Sequence, residues 1–285
     1  MEIVNLILCD EIENYKKTIK PESGNTASAL HSFLDQTVPP LRDMLNYCHA
    51  TKWGDNIEFE ARLGRFDAAK SRFIPGVTHE FMNECIERFE SWNGWHSVED
   101  WKETCDTFFT TDSGANVRTT SDFSPVKRSR RPKITHIEKR KIAQADFVTE
   151  SDTYDDNTYD VRVTLTKEVN RNIDGYPHVK PNFVRLKQRK SFLYQPSGAD
   201  EPHWRFDFTL SWSGETMIEC DKNQDTGTRT CYEIEVECTN PHRYVKRVDN
   251  EYIAASLLLK VRKNIMNAAD YQNINFRLVQ SKRFA

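Results

Sequence analysis

The chain has 285 residues, 38% apolar and 29% charged, enough for one or two packed domains. Its 40 basic and 43 acidic side chains leave a formal charge of −3, which excludes wholesale wrapping of nucleic acid but leaves room for a local basic groove. Ten Gly and eleven Pro exclude collagen-like and low-complexity chains, while seven Cys without a CxxC pair argue against a disulfide framework or structural zinc and for a reducing compartment.

Residues 1–26 read as an N-terminal extension, expected to be flexible, ending in PESGNT; residues 27–285 read as one domain. The early apolar run is followed by acids and preceded by no cationic region, so it is not expected to be a signal peptide. No stretch approaches the ~18 apolar residues of a membrane span, and a soluble intracellular chain with no membrane contact is expected. Ala29, Leu30, Phe33 and Leu34 predict a helix over 27–36. Pro39 and Pro40 are expected to interrupt it before a second helix reaches Cys48 on Leu41, Met44 and Leu45. A strand follows at 56–63, then a helix over 77–91 with Phe81, Cys85 and Phe89 inward and Thr78 as cap. Strands at 103–111 and 115–120 are joined by the turn DSGAN. Further strands are predicted at 134–144, 159–168, 183–194, 203–211 and 230–238, separated by polar loops that include CDKNQDTGTRT. A last helix over 249–267 has Asp249 as cap and Ile253, Leu257, Leu258, Val261 and Ile265 as its stripe. Eight strands and a few helices predict an α+β fold whose antiparallel sheet closes or nearly closes.

The chemistry lies in the alternation, because side chains two apart on a strand share a face. In IEFEA, Glu58 and Glu60 oppose Ile57, Phe59 and Ala61. In YEIEVEC, Glu233, Glu235 and Glu237 oppose Ile234, Val236 and Cys238. Arg205, Asp207 and Thr209 align in RFDFTL, as do Arg185, Lys187, Arg189 and Ser191 in RLKQRKS. Arg162, Thr164, Thr166 and Glu168 align in the strand before them. One polar face on one strand is ordinary for a sheet half in water. Here the signs are segregated by strand, and like charges sit roughly 7 Å apart, which is unfavourable without a neutralising partner. If the sheet closes, these faces meet in one interior, where dry burial of so many charges would be prohibitive. A wet tunnel resolves the cost. Its carboxylates suit a hard divalent cation, and its clustered Arg and Lys suit phosphate oxygens.

IEFEARLG at 57–64, RLKQRKSF at 185–192, RFDFTL at 205–210 and YEIEVE at 232–237 occur in the order found in the fungal, protozoal and viral RNA 5′-triphosphatases of mRNA capping. The chain resembles these members of the triphosphate tunnel metalloenzymes over roughly residues 40–268. The resemblance implies an eight-stranded antiparallel tunnel and hydrolysis of the γ-phosphate of triphosphate-ended RNA with Mg²⁺ or Mn²⁺, together with NTP hydrolysis under Mn²⁺. It implies that Glu58, Glu60 and Glu237 bind the metal, that Glu235 orients the attacking water and that Glu233 pairs with tunnel bases. Lys187 and Arg189 are implied to hold phosphate, with Arg205 and Asp207 on the neighbouring RxDxT strand, the Asp holding a metal-bound water. Arg118, Arg162 and Lys139 (or Lys141) are implied as further phosphate ligands and Glu168 as a further tunnel acid. The implied partners are the 5′-triphosphate end of RNA and an RNA guanylyltransferase, since no KxDG motif is present; a homodimer stays open. The implied location is the nucleus, or a cytoplasmic replication site for a viral protein.

Other signals are weaker. The run VKRSRRPK at 126–133 is an import signal, an RNA contact or a solvated loop. Trp92, Trp95 and Trp101 are expected in core or lid packing, and the His residues show no ligand spacing. Rival readings are a tunnel enzyme acting on tripolyphosphate or nucleotides, and a non-catalytic polyanion- or RNA-binding module.

Overall fold

In the computed structural model, residues 25–50, 56–111, 114–122, 134–150, 158–171, 181–196, 198–239, 241, 249–265 and 275–284 are described. Helix α1 (Asn25–Ala50) is followed by β1 (Ile57–Asp67), β2 (Arg72–Pro75), α2 (His79–Glu90), β3 (Ser97–Thr110), β4 (Asn116–Asp122), β5 (Ile134–Glu150) and β6 (Asp160–Asn170). Then come β7 (Phe183–Tyr194), β8 (Trp204–Gly214), α3 (Met217–Thr226), β9 (Cys231–Cys238), α4 (Asn250–Leu259) and β10 (Asn275–Arg283).

Eight strands close on themselves in the order β1-β6-β5-β4-β3-β7-β8-β9 and back to β1, every pairing antiparallel. This is the closed barrel that the sequence predicts. Short β2 extends the far end of β1, and β10 lies along the second half of β5. Gly64 permits the first of these, because a Cβ there would meet the Ile74 carbonyl oxygen at 2.2 Å.

The apolar core lies outside the barrel, which explains how the inside can be charged. The outward residues Phe59, Ala61 and Leu63 of β1, Val161, Val163 and Leu165 of β6, and Ile234 and Val236 of β9 are all buried in one cluster with helix residues. Helix α2 supplies Phe89, which meets Phe192, Phe206 and Phe208 edge-on at 5.2–5.4 Å. Its cap is as the sequence predicts: Thr78 Oγ accepts from the Phe81 N–H. Asp249 caps α4 by accepting from the Tyr252 N–H at 2.7 Å, and Ile253, Leu257, Leu258, Val261 and Ile265 are buried. That helix runs on as a π-helix over Lys260–Ile265. A smaller apolar cluster, Cys105, Val184, Leu186, Trp212 and Cys220, lies under α3.

Several expectations need correction. Pro39 and Pro40 do not break the first helix; α1 passes through them. Two prolines forfeit only two intrahelical hydrogen bonds, and burial of Val38, Leu41, Met44 and Leu45 on either side of them outweighs that loss. The segment read as the loop CDKNQDTGTRT begins as helix α3. Thr216 caps it, and Gly227 at φ +66° ends it in the left-handed region. Strands β2 and β10 have no counterpart in the prediction, and β3 and β5 are longer than expected. Trp92 and Trp95 pack against the core, but Trp101 is exposed. The run 126–133 and residues 1–24 lie outside the described residues. No described helix is long and apolar enough to cross a membrane.

Candidate active site

The barrel encloses a cavity of about 500 Å³, lined, among the described residues, by nine basic and seven acidic side chains. Strand alternation puts them there. On β1 the inward positions are Glu58, Glu60 and Arg62; on β9, Glu233, Glu235 and Glu237; on β7, Arg185, Lys187 and Arg189. A register shift between Lys141 and Ala143 on β5 matters in the same way. It lets Lys139 and Lys141 face the cavity while Ala143, Ala145 and Phe147 face the apolar core.

Register joins the two acidic strands directly. Glu60 lies opposite Glu237, and Arg62 opposite Glu235, where β1 pairs with β9. On the other side of β9, Arg205 faces Glu237, Asp207 faces Glu235 and Thr209 faces Glu233. Arg205 spans Asp207 at 3.0 Å and Glu237 at 2.6 Å. Arg189 reaches Thr209 at 3.0 Å, Asp207 at 2.9 Å and Glu235 at 3.3 Å. Asp207 is fully buried and also accepts from the Ser191 hydroxyl at 2.6 Å.

Opposite signs are interleaved throughout. Lys139 pairs with Glu58 and lies 3.4 Å from Glu168, which Arg118 meets at 3.3 Å. Arg185 pairs with Glu233, Arg62 with Glu235, and Lys187 with the buried Asp106. Arg162 makes a two-pronged bridge to the buried Asp146, at 2.6 and 3.0 Å. The hydroxyls of Thr164 and Thr166 donate to Glu60 and Glu58 at 2.9 and 3.2 Å.

Two neighbouring carboxyls are driven in opposite directions. Burial opposes ionisation of Glu235, yet the guanidiniums of Arg62 and Arg189 hold it far below the usual carboxylate range. Burial pushes Glu237 up to about 8; Arg205 pulls the other way, but Glu58, Asp207 and Glu60 crowd it with like charge. Burial also lowers Lys187 to about 8, although Asp106 partly restores it.

Glu58, Glu60 and Glu237 offer a donor set of oxygens alone, which fits a hard divalent ion such as Mg²⁺ or Mn²⁺. Among the described residues no three acidic, His or Cys side chains already surround one point. Each of these three carboxylates is turned toward a base: Lys139, Arg62 and Arg205 respectively. The crowding at Glu237 is the feature that a cation would relieve.

Of the residues that the resemblance implies for the site, all line this cavity except Asp207, which bonds to Arg189 and Arg205, two side chains that do. Four contributors were missed: Arg62, Asp106, Asp146 and Phe108. Arg62 was legible as the next inward position after Glu58 and Glu60. Asp106 and Asp146 have no acid two residues away on their strands, so no alternation marks them, and only closure of the barrel gives them their basic partners.

No family model and no curated protein matches this chain. Solved structures do. The S. pombe Pct1 RNA triphosphatase, in complex with the Spt5 CTD, superposes with a TM-score of 0.58 at 17% identity, covering 82% of this chain and 93% of that one. A second structure of the S. pombe Pct1 RNA triphosphatase gives 0.57 at 17% identity and the same coverage. The triphosphatase domain of the mimivirus mRNA capping enzyme gives 0.43 at 14% identity, over 75% of this chain and 95% of that one. With a closed eight-stranded barrel and a charged interior already in view, the likeness to the yeast enzyme establishes that this chain has the triphosphate tunnel fold of the RNA triphosphatases.

Proposed function

We propose that the chain is a divalent-metal-dependent RNA 5′-triphosphatase, converting the 5′-triphosphate end of RNA to a diphosphate end in mRNA capping, and hydrolysing NTPs under Mn²⁺. The observation that carries this reading is a single cavity in which Glu60 faces Glu237 while Lys187, Arg189 and Arg205 project into the same space. A polyphosphate needs those cations, and a hard metal needs those acids.

Arg118, Lys139, Arg162, Lys187, Arg189 and Arg205 grip the β and γ phosphates and fix their orientation. Glu58, Glu60 and Glu237 would hold Mg²⁺ or Mn²⁺, which supplies charge neutralisation on phosphate oxygens. Glu235, kept ionised by Arg62 and Arg189, accepts a hydrogen bond from the attacking water and aims it at the γ phosphorus opposite the leaving β oxygen. Asp207 steadies Arg189 and Arg205, and Glu233 holds Arg185. Residues 27–285 act as one catalytic domain. An RNA guanylyltransferase would take the diphosphate end, in the nucleus or at a viral replication site.

Phosphate release from triphosphate-ended RNA, ATP and tripolyphosphate with Mn²⁺ is the deciding comparison. RNA as the best substrate supports the proposal, tripolyphosphate as the best points to an inorganic triphosphatase, and release from none of them leaves a polyanion-binding module.

Lys187 adds a pH dependence. Its ammonium loses its proton as pH rises through about 8, so phosphate affinity is full below that value and declines above it. KM for the triphosphate substrate is expected to rise several-fold between pH 7.5 and 9. Lys187→Arg, which stays charged, is expected to flatten that rise; an identical profile in the variant would remove Lys187 as its source.

A further inference from the structure

One lining residue does not belong to the charge lattice. Among the described residues that line the cavity, Phe108 is the only one with an apolar side chain. It lies near the end of β3, opposite Phe183, the first residue of β7, and the two rings are 5.6 Å apart and tilted at 52°. Phe183 is 39% exposed, a large apolar surface to leave in water beside a polar tunnel. On its other side Phe108 faces Arg118, so one row across three strands reads Phe183, Phe108, Arg118. The backbone holds this rim in place: the Asn182 N–H donates to the Phe108 carbonyl at 2.9 Å, and the Asn182 amide donates to Thr110 at 2.6 Å.

The order along β7 gives the row a meaning. Inward positions run Arg189, Lys187, Arg185 and then, one step of roughly 7 Å beyond the last cation, Phe183. Cations suit a phosphate chain, and an aromatic surface at its end suits the flat group attached to that chain. We propose that Phe108 and Phe183 form a stacking subsite for the first nucleoside of a triphosphate-ended substrate, next to Arg118 of the phosphate grip. Stacking needs only the flat face of a base, so the subsite accepts any base and distinguishes a nucleoside triphosphate from inorganic tripolyphosphate. The inference rests on the triphosphatase reading and adds the substrate class to it. A cross-strand aromatic pair also steadies the end of a sheet, so the test must separate stacking from stability.

Phe108→Ala and Phe183→Ala are compared with wild type on triphosphate-ended RNA, ATP and tripolyphosphate. Base–aromatic stacking of the usual strength corresponds to a loss of about fivefold to 150-fold. The expected result is a KM rise in that range for RNA and ATP, at least fivefold larger than any rise for tripolyphosphate, and the same whichever base is present. Equal changes for all three substrates, or none, overturn the proposal. Calorimetric titration of ADP and inorganic pyrophosphate makes the comparison without turnover. A chain that hydrolyses nothing would refute the triphosphatase reading, yet selective loss of ADP binding in the variants would still uphold the subsite.

Discussion

Glu237→Ala and Glu60→Ala are each expected to fold and to lose metal-stimulated phosphate release by about 10²–10³-fold or more, the scale seen when one preorganised charged contact is removed. The two carboxylates face each other across β1 and β9, so either loss removes a third of the oxygen donor set. Folding should survive, because the apolar core lies on the opposite face of both strands and keeps Phe59, Ala61, Val236 and Cys238. Arg205 loses Glu237 but retains Asp207 at 3.0 Å, so no buried guanidinium is left alone. Thermal unfolding supplies a readout apart from turnover. Mn²⁺ should raise the melting midpoint of the wild type, since an ion bound only by the folded state stabilises it, and should do so far less for the variants. Normal turnover in either variant, or an unaltered Mn²⁺ shift, would count against these carboxylates as metal ligands.

Glu235→Gln is expected to cut kcat by about 10²–10³-fold while KM changes less than about threefold. The carboxylate is placed by Arg62 and Arg189 and held ionised, which makes it an acceptor for a hydrogen bond from an attacking water. Glutamine keeps the shape but has one acceptor oxygen and no charge. Since Arg189 also keeps Thr209 and Asp207, the phosphate grip should persist. A rise in KM with kcat preserved would mean that Glu235 serves to place the two arginines for phosphate rather than to orient water. Glu235→Ala should also be less stable than Glu235→Gln, because it strips the main partner from Arg62 and, among the described residues, leaves that group the more distant Glu60 at 3.4 Å.

These expectations start from patterns visible in the sequence, and particular residues show how far such patterns reach. Period-two alternation fixes which side of a strand a residue occupies, so Glu58 with Glu60, and Glu233 with Glu235 and Glu237, could be assigned to common faces before any fold was known. Caps at Thr78 and Asp249 were readable for the same local reason. Helix α3 was readable in principle. Thr216 and Glu219 have capping-box spacing and Gly227 is a stop, but only Cys220 of the helix is buried, so no apolar stripe announced it. Strand β10 was hidden because it covers one edge of β5, burying Phe276 beside an exposed Arg277 and an exposed Leu278, so it shows no clean alternation. Helix α1 was misread because the local cost of Pro39 and Pro40 was visible and the burial that outweighs it was not.

The sequence alone determined which side chains share a strand face, and that the acids and bases of this protein are sorted by strand. Tertiary structure decided which strands are neighbours, and with that which charges meet. Only closure sets Glu60 against Glu237, gives Lys187 its buried partner Asp106 and Arg162 its bridge to Asp146, and brings Phe108 beside Phe183 at the rim. The reason is physical: alternation is a property of one extended backbone, whereas register and closure depend on pairings between segments far apart in the chain.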